Sequence, residues 1–329
     1  MFLIDPGNPN ELTKYLRRKE WITDDETIVT LDKAGDGNMN CVLRADTGKR
    51  KIIIKQSRGY VEKYPQVAAP ANRVVIEGSF YRKISPQIKI SQMMPELLGI
   101  DEENNIMLLE DLGDAKDYTF LYDRKEGLSD TEIIKLVSYL DELHNQVKKL
   151  KEDTTLSNRE MKLLNHEHIF NYPFQANNGF NLDTVEDGLQ AISMPYKTDS
   201  LLKKKLEGLG ALYLSEGAYL LHGDFYPGSW LKAKAGIKII DAEFCFYGSR
   251  EFDLGVMIAH LYFSGLDETV LPLIEKNYTA FNELDIEVLD GFTGAEIMRR
   301  LLGLAQLPLK LTLAEREQLV EKGYQLVMK

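Results

Sequence analysis

Between residues 219 and 247 the sequence reads Tyr219-Leu-Leu-His222-Gly-Asp224-Phe-Tyr-Pro-Gly-Ser229-Trp-Leu and, after a short turn, Ile237-Lys-Ile-Ile-Asp241-Ala-Glu243-Phe-Cys-Phe-Tyr-Gly. Three carboxylates, Asp224, Asp241 and Glu243, punctuate an otherwise apolar setting. Residues 230–233 and 237–240, joined through Ala235-Gly236, read as a hairpin. Folding it back brings Asp224 at one end and Asp241 with Glu243 at the other to a single rim. Carboxylates gathered in this way repel one another unless a cation neutralises them, and a hard cation with oxygen ligands suits them. Magnesium with a nucleotide phosphate is the natural occupant.

The preceding chain supplies elements to position such a site. Asn-Pro-Asn before Glu11-Leu-Thr-Lys-Tyr-Leu predicts a capped amphipathic helix within residues 8–22, packed behind a first sheet. Residues 26–31, 39–44 and 51–55 alternate as a three-strand meander. Gly35 and Gly37, beside Asn38 in Gly35-Asp-Gly37-Asn38, let backbone N–H groups approach a phosphate closely. Asp-Gly and Gly-Asn are also ordinary hairpin turns, and alone the segment is better explained as one. Asn72-Arg-Val-Val-Ile-Glu77 opens a helix on which Arg73 and Glu77 share a face, the spacing of a surface ion pair. Ile106-Met-Leu-Leu-Glu110-Asp111-Leu112-Gly113 is an apolar strand ending at an acidic, glycine-containing corner. From Ser129-Asp-Thr-Glu onward the pattern turns helical, with a stripe of Ile133, Leu136, Val137, Leu140 and Leu143. His144 reads as a core or helix-face histidine. His166 and His168, as His-x-His, alternate faces on a strand, with no further Cys or His nearby to complete a zinc site. The lysines of Ser200-Leu-Leu-Lys-Lys-Lys face solvent, and Asp253 caps the apolar helix that follows it.

The His-Gly-Asp and Asp-x-Glu pair resembles the catalytic core of the aminoglycoside phosphotransferase and choline kinase superfamily, small-molecule relatives of protein kinases. The resemblance implies an α+β, protein-kinase-like bilobal fold: a small antiparallel sheet lobe over residues 1–111 and a mainly helical lobe over 112–329, with ATP between them. It makes Asp224 the group that orients and deprotonates the substrate hydroxyl, and Asp241 a magnesium ligand. Lys55 stands where a kinase places its phosphate-binding lysine, with Glu77 as its ion-pair partner. Glu110 and Leu112 fall at the hinge whose backbone meets adenine. His222 and Ser229 support the catalytic loop, and Asp253 braces it by accepting backbone hydrogen bonds.

One departure narrows the resemblance. The usual metal-binding Asn five residues after the catalytic Asp is Ser229, and Asp-x-Glu replaces Asp-x-Gly. Both occur in the methylthioribose kinase branch, where the Glu becomes a second metal ligand, a role that falls here to Glu243. Gly-Asp-Gly-Asn-Met-Asn, Phe-Tyr-Gly after Asp-x-Glu, and Arg299-Arg300-Leu-Leu-Gly-Leu-Ala are similar to the same branch. There the paired arginines bind sugar hydroxyls and stabilise the transferring phosphoryl group, a task suited to fixed, permanently charged donors. The implied reaction is ATP- and magnesium-dependent phosphorylation of a 5-modified ribose such as 5-methylthioribose, a step of methionine salvage. Phe225-Tyr-Pro replaces the branch's Leu-His-Thr beside the acceptor, so another sugar, choline or an aminoglycoside stays open, as does a nucleotide-binding pseudokinase.

Bulk properties bound these readings. A chain of 329 residues suits two lobes, and a net charge of −11 disfavours nucleic acid or an anionic membrane as partner. Two cysteines, Cys41 and Cys245, give no disulfide framework, and no run approaches a membrane span. The expectation is a cytoplasmic protein with a small-molecule partner. Relatives in the branch often form homodimers, so the resemblance leaves a homodimer open here.

Overall fold

The computed structural model describes residues 1–35, 39–147, 149, 154–266 and 270–329. Gly37 and Asn38 lie outside the described residues. In chain order the elements are α1 (Pro9–Arg18), β1 (Thr30–Lys33), β2 (Cys41–Asp46), β3 (Lys51–Gln56), β4 (Tyr60–Val61), β5 (Tyr64–Ala68), α2 (Arg73–Ile84), α3 (Ile88–Ser91), β6 (Leu97–Asp101) and β7 (Ile106–Glu110). There follow β8 (Lys116–Asp117), α4 (Asp130–Gln146), α5 (Arg159–His166), α6 (Leu189–Thr198), α7 (Ser200–Leu214), β9 (Tyr219–Leu221), β10 (Trp230–Ala233), β11 (Gly236–Ile239) and β12 (Phe246–Gly248). The chain ends with α8 (Glu251–Phe263), α9 (Leu271–Asn277), α10 (Ile286–Leu302) and α11 (Leu313–Met328).

Two compact units form: Met1–Lys116 with Lys232–Cys245, and Asp117–Leu231 with Phe246–Lys329. A single boundary at 111/112 therefore does not describe the partition, because the stretch carrying Asp241 and Glu243 returns to the first unit.

The first unit is built on an antiparallel sheet of order β1-β2-β3-β7-β6, the expected meander extended by the β6–β7 hairpin. Alternation makes the sheet two-faced. Leu43, Ala45, Ile52, Ile54, Ile106 and Leu108 form one core with Leu12, Tyr15 and Leu16 of α1, the expected packing of that helix. Helix α1 stops at Arg18, earlier than the expected range, and the chain turns at Glu20 with φ of 59°. Lys55, offset by one residue from Ile54, points to the opposite face of the sheet.

The second unit is mainly helical. Helix α4 opens with the expected capping box, Ser129 and Glu132 each receiving the other's backbone N–H. Helix α10 is buried on all sides along its second half, which carries Arg299 and Arg300 inward. It packs against α8 and α11, and Gly294 permits the latter approach, since a Cβ there would lie 2.3 Å from the Gly323 carbonyl oxygen. Lys203, Lys204 and Lys205 face solvent as expected. His166 ends α5 and His168 lies in the π-helical turn Glu167–Asn171 that continues it, rather than on a strand. No helix among the described residues is long and apolar enough to cross a membrane.

Candidate active site

In the first unit, Lys55 is buried between two carboxylates. Its Nζ lies 2.6 Å from Glu77 Oε2 on α2 and 2.5 Å from Asp241 Oδ1. Burial works against the ammonium charge, but Asp241, then Glu77 and Glu243, hold the Lys55 pKa well above its ordinary value. Burial pushes the Glu77 carboxyl up to about 7; Lys55 opposes the rise, and Asp241 and Glu243 add to it. Asp241 has φ of 63°, a left-handed conformation costly for a residue with a Cβ, of the kind that collects at functional sites. Its side chain is 46% exposed.

Arg73 does not pair with Glu77, its neighbour at i+4. Its Nε donates instead to Glu243 Oε2 at 3.1 Å, and Asn40 Nδ2 donates to the same oxygen at 3.0 Å. The other guanidinium nitrogens donate to the carbonyls of Met39 (2.6 Å), Pro70 (2.6 Å), Arg58 (3.0 Å) and Tyr60 (3.3 Å), and to Asn40 Oδ1 (2.9 Å). One buried arginine thus ties Glu243 to the strand that leaves the glycine turn and to the first turn of the helix that carries Glu77. Gly35, at the start of that turn, has φ of 82° and nothing near its absent Cβ. At the strand corner, Arg44 Nη2 donates to Asp111 Oδ1 (2.9 Å) and the Gly113 carbonyl (2.6 Å), fixing the backbone around Leu112. Glu110 is exposed, and its carboxylate accepts the Glu96 N–H.

The second unit holds Asp224. Gly223 adopts φ of 86°, the conformation that lets His-Gly-Asp turn sharply off β9. Asp253, fully buried, accepts from His222 N at 2.7 Å, Gly223 N at 2.9 Å and His144 Nε2 at 3.2 Å. The expected cap is absent: α8 begins at Glu251, so Asp253 sits inside its first turn and braces the loop. His144 is buried and takes its second hydrogen bond from Tyr278. Ser229 Oγ donates to the Asp224 carbonyl at 2.9 Å, tightening the turn after the loop. Phe225 does not line an acceptor site: it is fully buried, stacked on Tyr139 with centroids 5.5 Å apart and packed against Trp230. Its neighbour Tyr226 presents its ring 4.9 Å from the Arg300 guanidinium.

Arg299 and Arg300 both reach Asp224. Their Nη2 atoms lie 3.5 and 3.2 Å from Asp224 Oδ1. Both are buried and both Nε atoms donate to Glu296, one helical turn earlier, Arg300 to Oε1 at 2.7 Å and Arg299 to Oε2. Burial disfavours an ionised Glu296, yet Arg299 and Arg300 hold its pKa well below the usual carboxylate range. The arginine pair is legible in the sequence; Glu296 is not singled out there, although its i,i+3 and i,i+4 spacing to the pair points to it. Arg44, Asn40 and the true partner of Arg73 had no local signal.

Asp241 and Glu243 offer hard oxygen donors two residues apart. Magnesium is commonly held by one or two carboxylates completed by substrate phosphates and water, so the donor set fits that ion. Among the described residues no group of three or more His, Cys, Asp or Glu gathers to form a fuller protein cage.

The fold is α+β and protein-kinase-like. A choline kinase from Streptococcus pneumoniae superposes with a TM-score of 0.54 at 12% identity, covering 97% of this chain and 99% of that one. A spectinomycin phosphotransferase in complex with ADP and its antibiotic gives 0.55 at 12% identity, covering 97% of each chain. Fold and relatives together define the class, a phosphotransferase of the kinase fold acting on an alcohol group. Within it, the sequence is similar to methylthioribose kinases: 28% identical to that of Exiguobacterium sibiricum over 84% of this chain and 80% of the relative. Identity to the enzyme of Bacillus mycoides is 27% over the same shares, and to that of Pectobacterium carotovorum 27% over 83% and 70%. No family profile matches the chain.

Proposed function

We propose that the protein transfers the γ-phosphoryl group of ATP to a hydroxyl of a 5-modified ribose, 5-methylthioribose being the first acceptor to test. The observation that carries this reading is the convergence of Arg299 and Arg300 on Asp224. Two guanidinium groups beside the base repel a cationic amino alcohol or aminoglycoside, and they offer fixed donors to the hydroxyls of an uncharged sugar.

Asp224 accepts the proton of the attacking hydroxyl, its loop held by Asp253 so that the carboxylate keeps one orientation. Lys55, aimed by Glu77, binds phosphate oxygens. The arginine pair stabilises negative charge on the phosphoryl group as it moves. Asp241 and Glu243 would hold magnesium, which supplies neutralisation of the phosphate charge when bound. Gly35, with Gly37 and Asn38, serves the phosphates through its backbone, and the corner at Glu110 to Leu112 serves the adenine edge. Both cysteines are unbridged and buried, as suits work in a reducing cytoplasm.

The test is ADP release with magnesium-ATP and 5-methylthioribose, against a no-sugar blank and the Asp224→Asn variant. Sugar-dependent release that falls at least about 10³-fold in the variant is expected for loss of a catalytic base. Sugar-independent release, or activity untouched by the substitution, refutes the assignment.

A further inference from the structure

Behind the arginine pair lies a buried polar chain that touches neither Asp224 nor any hydroxyl it would serve. Glu296 receives both arginine Nε atoms, and its Oε1 also lies 3.0 Å from His260 Nε2. His260 Nδ1 lies 2.5 Å from the Tyr122 hydroxyl. Glu296, His260 and Tyr122 are each 1% exposed or less. The proton positions follow from the partners. Glu296, ionised between two guanidinium groups, can only accept, so His260 carries its proton on Nε2 and takes the Tyr122 O–H on Nδ1. Burial, with Arg300 and Arg299 adding to it, lowers His260 to about 4 despite Glu296, so the ring is neutral near pH 7.

A guanidinium is a flat fork that can meet a carboxylate along different edges. Here Glu296 takes the Nε of both arginines, which leaves their Nη2 atoms to point at Asp224. His260 in turn denies Glu296 a free swing, because the imidazole shares Oε1 with Arg300 and is itself fixed by Tyr122 and by the Tyr226 ring at 5.1 Å. The order of contacts runs one way, from the packed interior toward the reacting atoms.

We propose that Glu296 and His260 are the positioning residues of the arginine pair, pre-ordering both guanidinium groups before any acceptor binds. The consequence for catalysis rests on the reading under Proposed function; the pre-ordering itself does not.

The experiment uses the full chain and the variants Glu296→Gln, Glu296→Asp and His260→Asn. Side-chain NMR of the arginine Nε–H groups, without substrates, reads the ordering directly. The wild type is expected to show two slowly exchanging Nε–H signals assigned to Arg299 and Arg300. Glu296→Gln abolishes the protection of both, Glu296→Asp restores part of it, and His260→Asn weakens the Arg300 signal more than that of Arg299. Steady-state ADP release then separates roles: acceptor KM rises roughly 10- to 100-fold in Glu296→Gln, the loss of charge-assisted hydrogen bonds, while KM for ATP holds. Protection that survives in Glu296→Gln overturns the proposal, as does an equal rise of both KM values. If Glu296→Gln fails to fold, the unequal response of the two signals in His260→Asn decides. If the wild type shows no sugar-dependent turnover, the acceptor assignment falls and the NMR comparison still judges the ordering.

Discussion

Replacing Asp253 by Asn removes one charge and almost no volume, so its effect isolates what the carboxylate does for the His222-Gly-Asp224 loop. Three donors converge on it: His222 N and His144 Nε2 on Oδ2, Gly223 N on Oδ1. An asparagine can keep its single oxygen toward two of them, and must then turn its NH2 against the Gly223 N–H. One charge-assisted bond is lost, worth about 1.5–3 kcal/mol, and a buried donor is left without an acceptor, costing about 1–3 kcal/mol more. With nothing able to reach the fully buried site from solvent, the sum is about 2.5–6 kcal/mol, which spans the range of about 3–5 kcal/mol for breaking a buried charged interaction. The loop is then free to move Asp224, and displacement by about 1 Å costs on the order of 10²-fold in kcat. Urea unfolding followed by near-ultraviolet circular dichroism measures the first quantity, and steady-state ADP release the second. A stability loss below about 1 kcal/mol with kcat unchanged would show that the loop is held by its own packing, through Phe225 on Tyr139, and would refute the bracing role.

Two further outcomes follow from the first unit. Glu77, raised from 4.5 to about 7 in the folded state, binds a proton there that the unfolded chain has already lost. Its contribution to stability is therefore largest below pH 4.5 and falls as pH rises toward 7, by on the order of 3 kcal/mol; Glu77→Gln flattens that slope in pH-dependent unfolding. Arg73→Lys keeps the charge and loses the fork that reaches six acceptors, so stability falls by about 2–4 kcal/mol and affinity for ADP weakens in titration calorimetry; unchanged affinity would sever Arg73 from nucleotide binding.

The candidate site is legible where its residues are contiguous. His-Gly-Asp, Asp-x-Glu and Arg-Arg-Leu-Leu-Gly could be read off the chain because the spacing of each motif is fixed by one loop or one helical turn. The Lys55–Glu77 pair was legible because strand and helix follow each other closely. Arg73 shows the limit: local spacing offered Glu77, and a partner 170 residues away, Glu243, took its Nε. Asp253 accepts two loop N–H groups and does not cap α8, since a carboxylate near a helix start serves either purpose and only the backbone decides between them. Strand β6 escapes because it pairs with β7 through a register shift between Leu97 and Gly99, which blurs its alternation.

The return of residues Lys232–Cys245 to the first unit has a consequence for biogenesis. Asp241 and Glu243, the partners of Lys55 and Arg73, leave the ribosome more than 150 residues after the strand and helix that await them. A nascent chain can assemble the sheet and α1 early. During that interval Lys55 has only Glu77 as its carboxylate partner, and Arg73 is without Glu243. Completion of the first unit is thus deferred until most of the second has been synthesised, and the chain offers no contiguous fragment that could be expressed as the whole of the first unit.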